Sequence, residues 1–135
     1  MRYDEFIGQV QNRARLSSTE EAVKAIRATL ETLAERLAGG EPKDLASQLP
    51  EEIGVYLHHE RAGSGERFSL DEFFKRVSER EGVDLPASIY HARVVIEVLS
   101  EAVSRGQMND VRAQLPEEYD RLFEAGSQGA MPRDD

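Results

Sequence analysis

Gln48-Leu49-Pro50-Glu51-Glu52 returns residue for residue as Gln114-Leu115-Pro116-Glu117-Glu118, 66 positions further along the chain. An identity of that length raises the question of whether the surrounding chain is doubled as well, and the surroundings answer it. In the same register Arg27, Glu31, Leu33 and Glu35 meet identical partners at Arg93, Glu97, Leu99 and Glu101, while Gly40 meets Gly106 and Asp44 meets Asp110. Upstream, at an offset of 67, Tyr3-Asp4-Glu5-Phe6-Ile7-Gly8-Gln9-Val10 aligns with Leu70-Asp71-Glu72-Phe73-Phe74-Lys75-Arg76-Val77, apolar on apolar.

The periods inside each copy are helical. Tyr3, Phe6, Ile7 and Val10 form an i, i+3, i+4, i+7 stripe, repeated at Leu70, Phe73, Phe74 and Val77. A long second helix carries Val23, Ile26, Leu30, Leu33 and Leu37 and should stop before Gly39-Gly40; its counterpart carries Ile89, Ala92, Ile96, Leu99 and Val103 and should stop before Gly106. Val94, Val95 and Val98 widen the apolar face of the counterpart, which is therefore expected to be the most buried helix. Ser18 with Glu21 and Ser69 with Glu72 have the spacing of capping boxes and propose helix starts. Two short helices follow in each copy, 42–49 then 50–57 and 107–115 then 116–123, divided by prolines that push the preceding leucine out of helical backbone.

These readings give an all-α fold of about eight helices in two related four-helix repeats, residues 3–57 and 69–124. The repeats are expected to pack with approximate two-fold pseudosymmetry in a single domain over 1–125, because a unit of about 65 residues buries little apolar surface alone. The stretch 58–68, with Gly63-Ser64-Gly65 among charges, reads as a solvated connector, and 126–135 as a disordered tail.

Composition narrows the function. Of 135 residues, 17 are basic and 26 acidic, and the resulting net charge of −9 repels nucleic acid and anionic lipid, so neither nucleic acid nor membrane is an expected partner. The complete absence of cysteine removes disulfides, thiolate metal sites and thiol nucleophiles. The N-terminal segment lacks the apolar run of a signal peptide, and the most apolar stretch, 92–103, is interrupted by Arg93, Glu97 and Glu101. A cytoplasmic location is expected.

Phe68-Ser69-Leu70-Asp71-Glu72-Phe73, followed by Arg80-Glu81-Gly82, together with Ala28 to Leu37 and both Gln-Leu-Pro-Glu-Glu strings, resembles the prokaryotic family DUF2267 over Tyr3 to Phe123. The resemblance implies a small helical protein of a bacterium or archaeon. It supplies no catalytic residue, since the family is uncharacterised. The second copy departs from the first at Gln107-Met108-Asn109, where the first has Glu41-Pro42-Lys43, which leaves the start of that helix open.

Candidate chemistry is sparse. The acid pairs Glu51-Glu52 and Glu117-Glu118 could serve as acid and base or hold a cation, but each falls in the first turn of an expected helix, where negative charge is stabilised by the helix dipole. His58, His59 and Glu60, with His91 at a distance, invite a metal, yet adjacent helical residues point about 100° apart and no Glu-x-x-His pair occurs. A helix-end role suits His58 and His59 better. Arg27 and Arg93 each stand four residues before a glutamate, as surface ion pairs do. No nucleophile elbow, phosphate loop or His-Glu-x-x-His string is present.

The expected function is thus a non-enzymatic helical interaction module or stress-associated accessory protein with a protein partner, no catalytic residue, no metal and no cofactor. The alternative is a small-ligand or metal carrier whose seam between the repeats is lined by Tyr56, His59, Tyr90 and His91.

Overall fold

A computed structural model describes residues 1–124, so the expected tail at 126–135 lies outside the described residues. Within them the chain forms eight α-helices: α1 (Tyr3–Arg13), α2 (Thr19–Arg36), α3 (Glu41–Ala46), α4 (Glu51–Gly54), α5 (Leu70–Glu81), α6 (Leu85–Ala102), α7 (Arg105–Ala113) and α8 (Asp120–Phe123). Single 3₁₀ turns, Val55–Leu57 and Glu117–Tyr119, extend α4 and precede α8. The described residues contain no strand; one isolated antiparallel bridge joins Ala38 to Ser64.

The helix starts follow from side-chain oxygens meeting orphan backbone donors. Ser18, Ser69, Asp84 and Ser104 accept from the backbone N–H three residues on, at the heads of α2, α5, α6 and α7. The Ser104 cap starts α7 at Arg105, two residues before the expected start, and places Gly106 inside the helix. Pro50 and Pro116 are the residues preceding their helical turns, not the first helical residues.

α2 and α6, each 18 residues long, pack against one another at the centre. α1 lies against both, and so does α5. One hydrophobic cluster draws on every helix, with Phe6, Ile26, Leu33, Phe73, Ile96 and Tyr119 among its fully buried members. Tyr119 donates to the carbonyl of Phe68 at 2.8 Å, and burial pushes its phenol up to about 12. The two Gln-Leu-Pro strings have reciprocal jobs: Gln48 Oε1 accepts from Ser104 N–H at 2.8 Å, and Gln114 Oε1 accepts from Ala38 N–H at 2.8 Å.

Two expectations require correction. α2, not α6, is the more buried long helix, with eleven buried residues against eight. The cause is the second correction: the connector is not a free solvated linker but is hydrogen-bonded along the end of α2. Gly63 N–H donates to Ala34 O at 2.8 Å, Gly65 N–H to Leu37 O at 3.0 Å, Glu66 N–H to Glu35 O at 2.9 Å, and Gly39 N–H returns to Gly63 O at 2.8 Å. The glycines are needed for this seat. Gly63 has φ +82°, and a Cβ there would stand 2.4 Å from Gly39 O.

Candidate functional site

Under the connector lies a buried carboxylate. Glu35, in the last turn of α2, is wholly buried, and an unpaired charge there would be costly. Three arginines meet it: Arg61 of the connector at 2.8 Å, Arg76 of α5 at 3.0 Å, and Arg80 of α5. Burial pushes the Glu35 carboxyl up, but hydrogen bonds from Arg80 and Arg61 outweigh it and hold the group below the ordinary glutamate range. Arg76 also bonds Glu66 and Glu72, each at 3.0 Å, with its guanidinium 3.9 Å over the Phe68 ring. Arg80 donates to Thr32 Oγ1 at 2.8 Å. The cluster ties α2, the connector and α5 together.

The same clamp recurs on α6 without a cover. Arg13, which stands 67 positions before Arg80, donates to both oxygens of Glu101, at 2.9 and 2.8 Å, and to Glu97 at 3.0 Å. Those hydrogen bonds hold Glu101 below the ordinary range and Arg13 above its own. Here the glutamate is 47% exposed in its side chain where Glu35 is fully covered. Over this turn, between α6, α7 and α8, opens a groove of about 590 Å³. Ile96, Met108 and Phe123 give it apolar walls, and Glu97, Ser100, Glu101 and Arg105 border it. Arg112, also on its wall, lies 3.7 Å from Asp120 and 4.6 Å from the centre of the Phe123 ring.

The expected seam residues are not gathered into one site. Tyr56 lies within electrostatic reach of Tyr3 and Arg27, whereas Tyr90 donates to the carbonyl of Arg13 at 2.7 Å. Those contacts fall at opposite ends of α1, about 15 Å apart. His59 donates through Nε2 to Glu31 O at 2.9 Å and accepts from Arg61 N–H at Nδ1. It therefore fastens the connector to α2 and is not a cap on its own helix. His91 is buried and pairs through Nδ1 with the buried Glu81. The second Glu81 oxygen has no partner among the described residues.

The remaining candidates resolve by position. Glu51, Glu52, Glu117 and Glu118 are exposed in first turns, and Glu118 also accepts from Leu70 N–H at 3.3 Å, at the head of α5. His58 is exposed just beyond the turn ending at Leu57. Arg27 pairs with Glu31 at 3.0 Å as its spacing proposes; Arg93 does not pair with Glu97, which Arg13 has taken, and reaches toward Glu124 at 4.0 Å.

The groove was missed in the sequence, although a signal for it exists. At matched positions Ala34, Gly39 and Ala46 of the first half become Ser100, Arg105 and Arg112 of the second. Ala34 and Ala46 are buried where Ser100 and Arg112 are exposed, and Gly39, itself exposed, uses its backbone N–H to hold the connector at Gly63.

The model of a family described as "Uncharacterized conserved protein (DUF2267)" matches residues 3–122, and the chain belongs to that family. No curated protein matches it.

Proposed function

We propose that this member of the DUF2267 family is a non-enzymatic helical interaction module that receives a segment of a protein partner in the groove over the last turn of α6. One observation carries the reading: corresponding turns of two equally long helices are finished differently. The end of α2 is roofed by chain, while the end of α6 leaves a carboxylate clamp and apolar walls open beside each other. Apolar contact flanked by charge is the usual make-up of a peptide-receiving surface.

The reading includes the doubled architecture. Two four-helix repeats about an approximate two-fold axis account for the equal lengths of α2 and α6, the reciprocal Gln48 and Gln114 bonds, and the Arg13 and Arg80 clamps that each reach from one half into the other. One repeat then keeps its groove filled by the connector and the other offers the same surface outward.

A photo-cross-linking residue at Ser100, compared with one at the exposed Lys75 on α5, tests the proposal in cells of the natural source. A discrete adduct at Ser100, absent at Lys75 and abolished by competition with unlabelled protein, is the expected result. Equal or no adducts at the two positions would overturn it.

A further inference from the structure

We infer that the groove over α6 takes a turned, glycine-containing peptide segment that brings an arginine to Glu97 and Glu101, the chemistry by which the connector occupies α2. The inference rests on the interaction-module reading and names the partner's chemistry. Four of the residues bordering the groove, Glu97, Ser100, Glu101 and Arg105, are the counterparts of Glu31, Ala34, Glu35 and Gly39 at the 66-residue offset. The connector bonds all four of those: His59 to the carbonyl of Glu31, Gly63 to that of Ala34, Glu66 and Arg61 to Glu35, and Gly39 back to Gly63. What fits this face of a long helix is thus on display within the same molecule. It is a turned, glycine-bearing backbone, closed by the Ala62 to His59 and Ser64 to Arg61 bonds, that donates N–H groups to carbonyls at the end of the helix with one arginine turned into the glutamate.

Charge and hydrogen bonding point the same way. Glu35 is met by three guanidinium groups, whereas Glu97 and Glu101 together share only that of Arg13 among the described residues. One further arginine completes the pairing, and a planar guanidinium suits a carboxylate better than an ammonium does. The carbonyls of Ser100 and Glu101 close the last turn of α6 and accept no backbone N–H from the described residues. Arg112 does not compete for the glutamates, being held by Asp120 and Phe123. Arg105, at the rim where the first half has Gly39, suits an acidic residue further along the segment, as Glu66 follows Arg61 in the connector.

The probe is a synthetic nonapeptide of the connector sequence, His59-Glu60-Arg61-Ala62-Gly63-Ser64-Gly65-Glu66-Arg67, titrated into the isotope-labelled full chain at low salt. Saturable amide shifts confined to 96–112 are expected. A peptide with Arg61→Ala should bind about tenfold more weakly or worse, since a charge-assisted hydrogen bond is lost. Ser100→Trp, at an exposed position that leaves the Arg13 clamp untouched, should abolish the shifts, and Glu101→Gln should weaken binding comparably to the peptide change. No saturable shift at millimolar peptide, shifts unaltered in Ser100→Trp, or perturbation around Glu35 instead would overturn the inference. So would a cross-link from Ser100→Cys to residues 125–135 that keeps the peptide out. If a nonapeptide with glutamate at both arginine positions binds in its place, the arginine chemistry falls and the interaction module stands; if neither peptide binds and Ser100 captures nothing in cells, both fall.

Discussion

The last turns of α2 and α6 carry the same glutamate and receive an arginine from the same place in the opposite half, yet one is interior and the other is surface. Glu35 sits under the connector with Arg61, Arg76 and Arg80, and Glu101 faces solvent with Arg13. The difference teaches that the worth of an ion pair here is set by what covers it. Removing Glu35 takes the shared partner from Arg76 and Arg80, which are part-buried, and from the more exposed Arg61, so Glu35→Ala should cost about 2–3 kcal/mol in urea unfolding. Glu101→Ala removes a solvent-screened pair and should cost about 1 kcal/mol or less. Equal costs would break the comparison.

The same pair fixes the sign of the acid response. Both carboxyls lie below the ordinary glutamate range in the folded protein, so on acidification the unfolded chain takes up their protons first. Stability is full above the ordinary value of about 4.3 and is lost as pH falls through the lowered folded values. Glu41 acts in reverse: burial, with Asp110 and Asp44 nearby, raises it, and its contribution is present at low pH and lost as pH rises through the raised value. Thermal melts between pH 6 and pH 3 should therefore show a net fall that Glu35→Gln makes shallower.

The cover itself can be tested through its glycine. Gly63→Ala puts a methyl against Gly39 O at a positive φ, and unfolding should register about 1–3 kcal/mol of destabilisation. Gly106, on the uncovered side, is helical in α7 with nothing within 4 Å of the place a methyl would take, so Gly106→Ala should stabilise by about 0.5–1 kcal/mol. Opposite signs at the glycine of the cover and the glycine on the uncovered side would sharpen the contrast; the same sign at both would erase it.

The sequence exposes the helices because their determinants are local. The stripe from Ile26 to Leu37 and the Ser18 and Ser69 caps act over three or four residues, and they reappear where the spacing puts them. The connector was illegible for the opposite reason. Its seat depends on backbone groups of Gly63, Gly65 and Glu66 meeting carbonyls about 29 residues upstream, and a Gly-Ser-Gly string reads the same in a linker and in a cap. Nothing near Glu35 in sequence announces Arg61, Arg76 and Arg80, which meet it from 26, 41 and 45 positions away. Tyr56, His59, Tyr90 and His91 are not brought together because His59, Tyr90 and His91 are held by partners away from them in sequence, Glu31 O, Arg13 O and Glu81, and periodicity does not report which end of α1 a side chain reaches.

The shared Gln-Leu-Pro string offers the finest test, because its two glutamines act across the molecule and both are exposed. Gln48 serves the backbone of Ser104 and Gln114 that of Ala38, each at 2.8 Å. Each Gln→Ala change removes the acceptor of a backbone N–H that water can partly replace, and one amide donor bond with it, Gln48 to Gln107 at 3.2 Å or Gln114 to Ala38 O at 3.5 Å, so each should cost about 0.5–1.5 kcal/mol, with Gln48→Ala the larger. Amide exchange gives the decisive pattern. Gln48→Ala should speed exchange at Ser104 and leave Ala38 alone, and Gln114→Ala should do the converse. Loss of protection within the mutated half instead would mean that the string works locally as a proline-broken helix start, and the crossed pairing that joins the two halves would then have to rest on the arginine clamps alone.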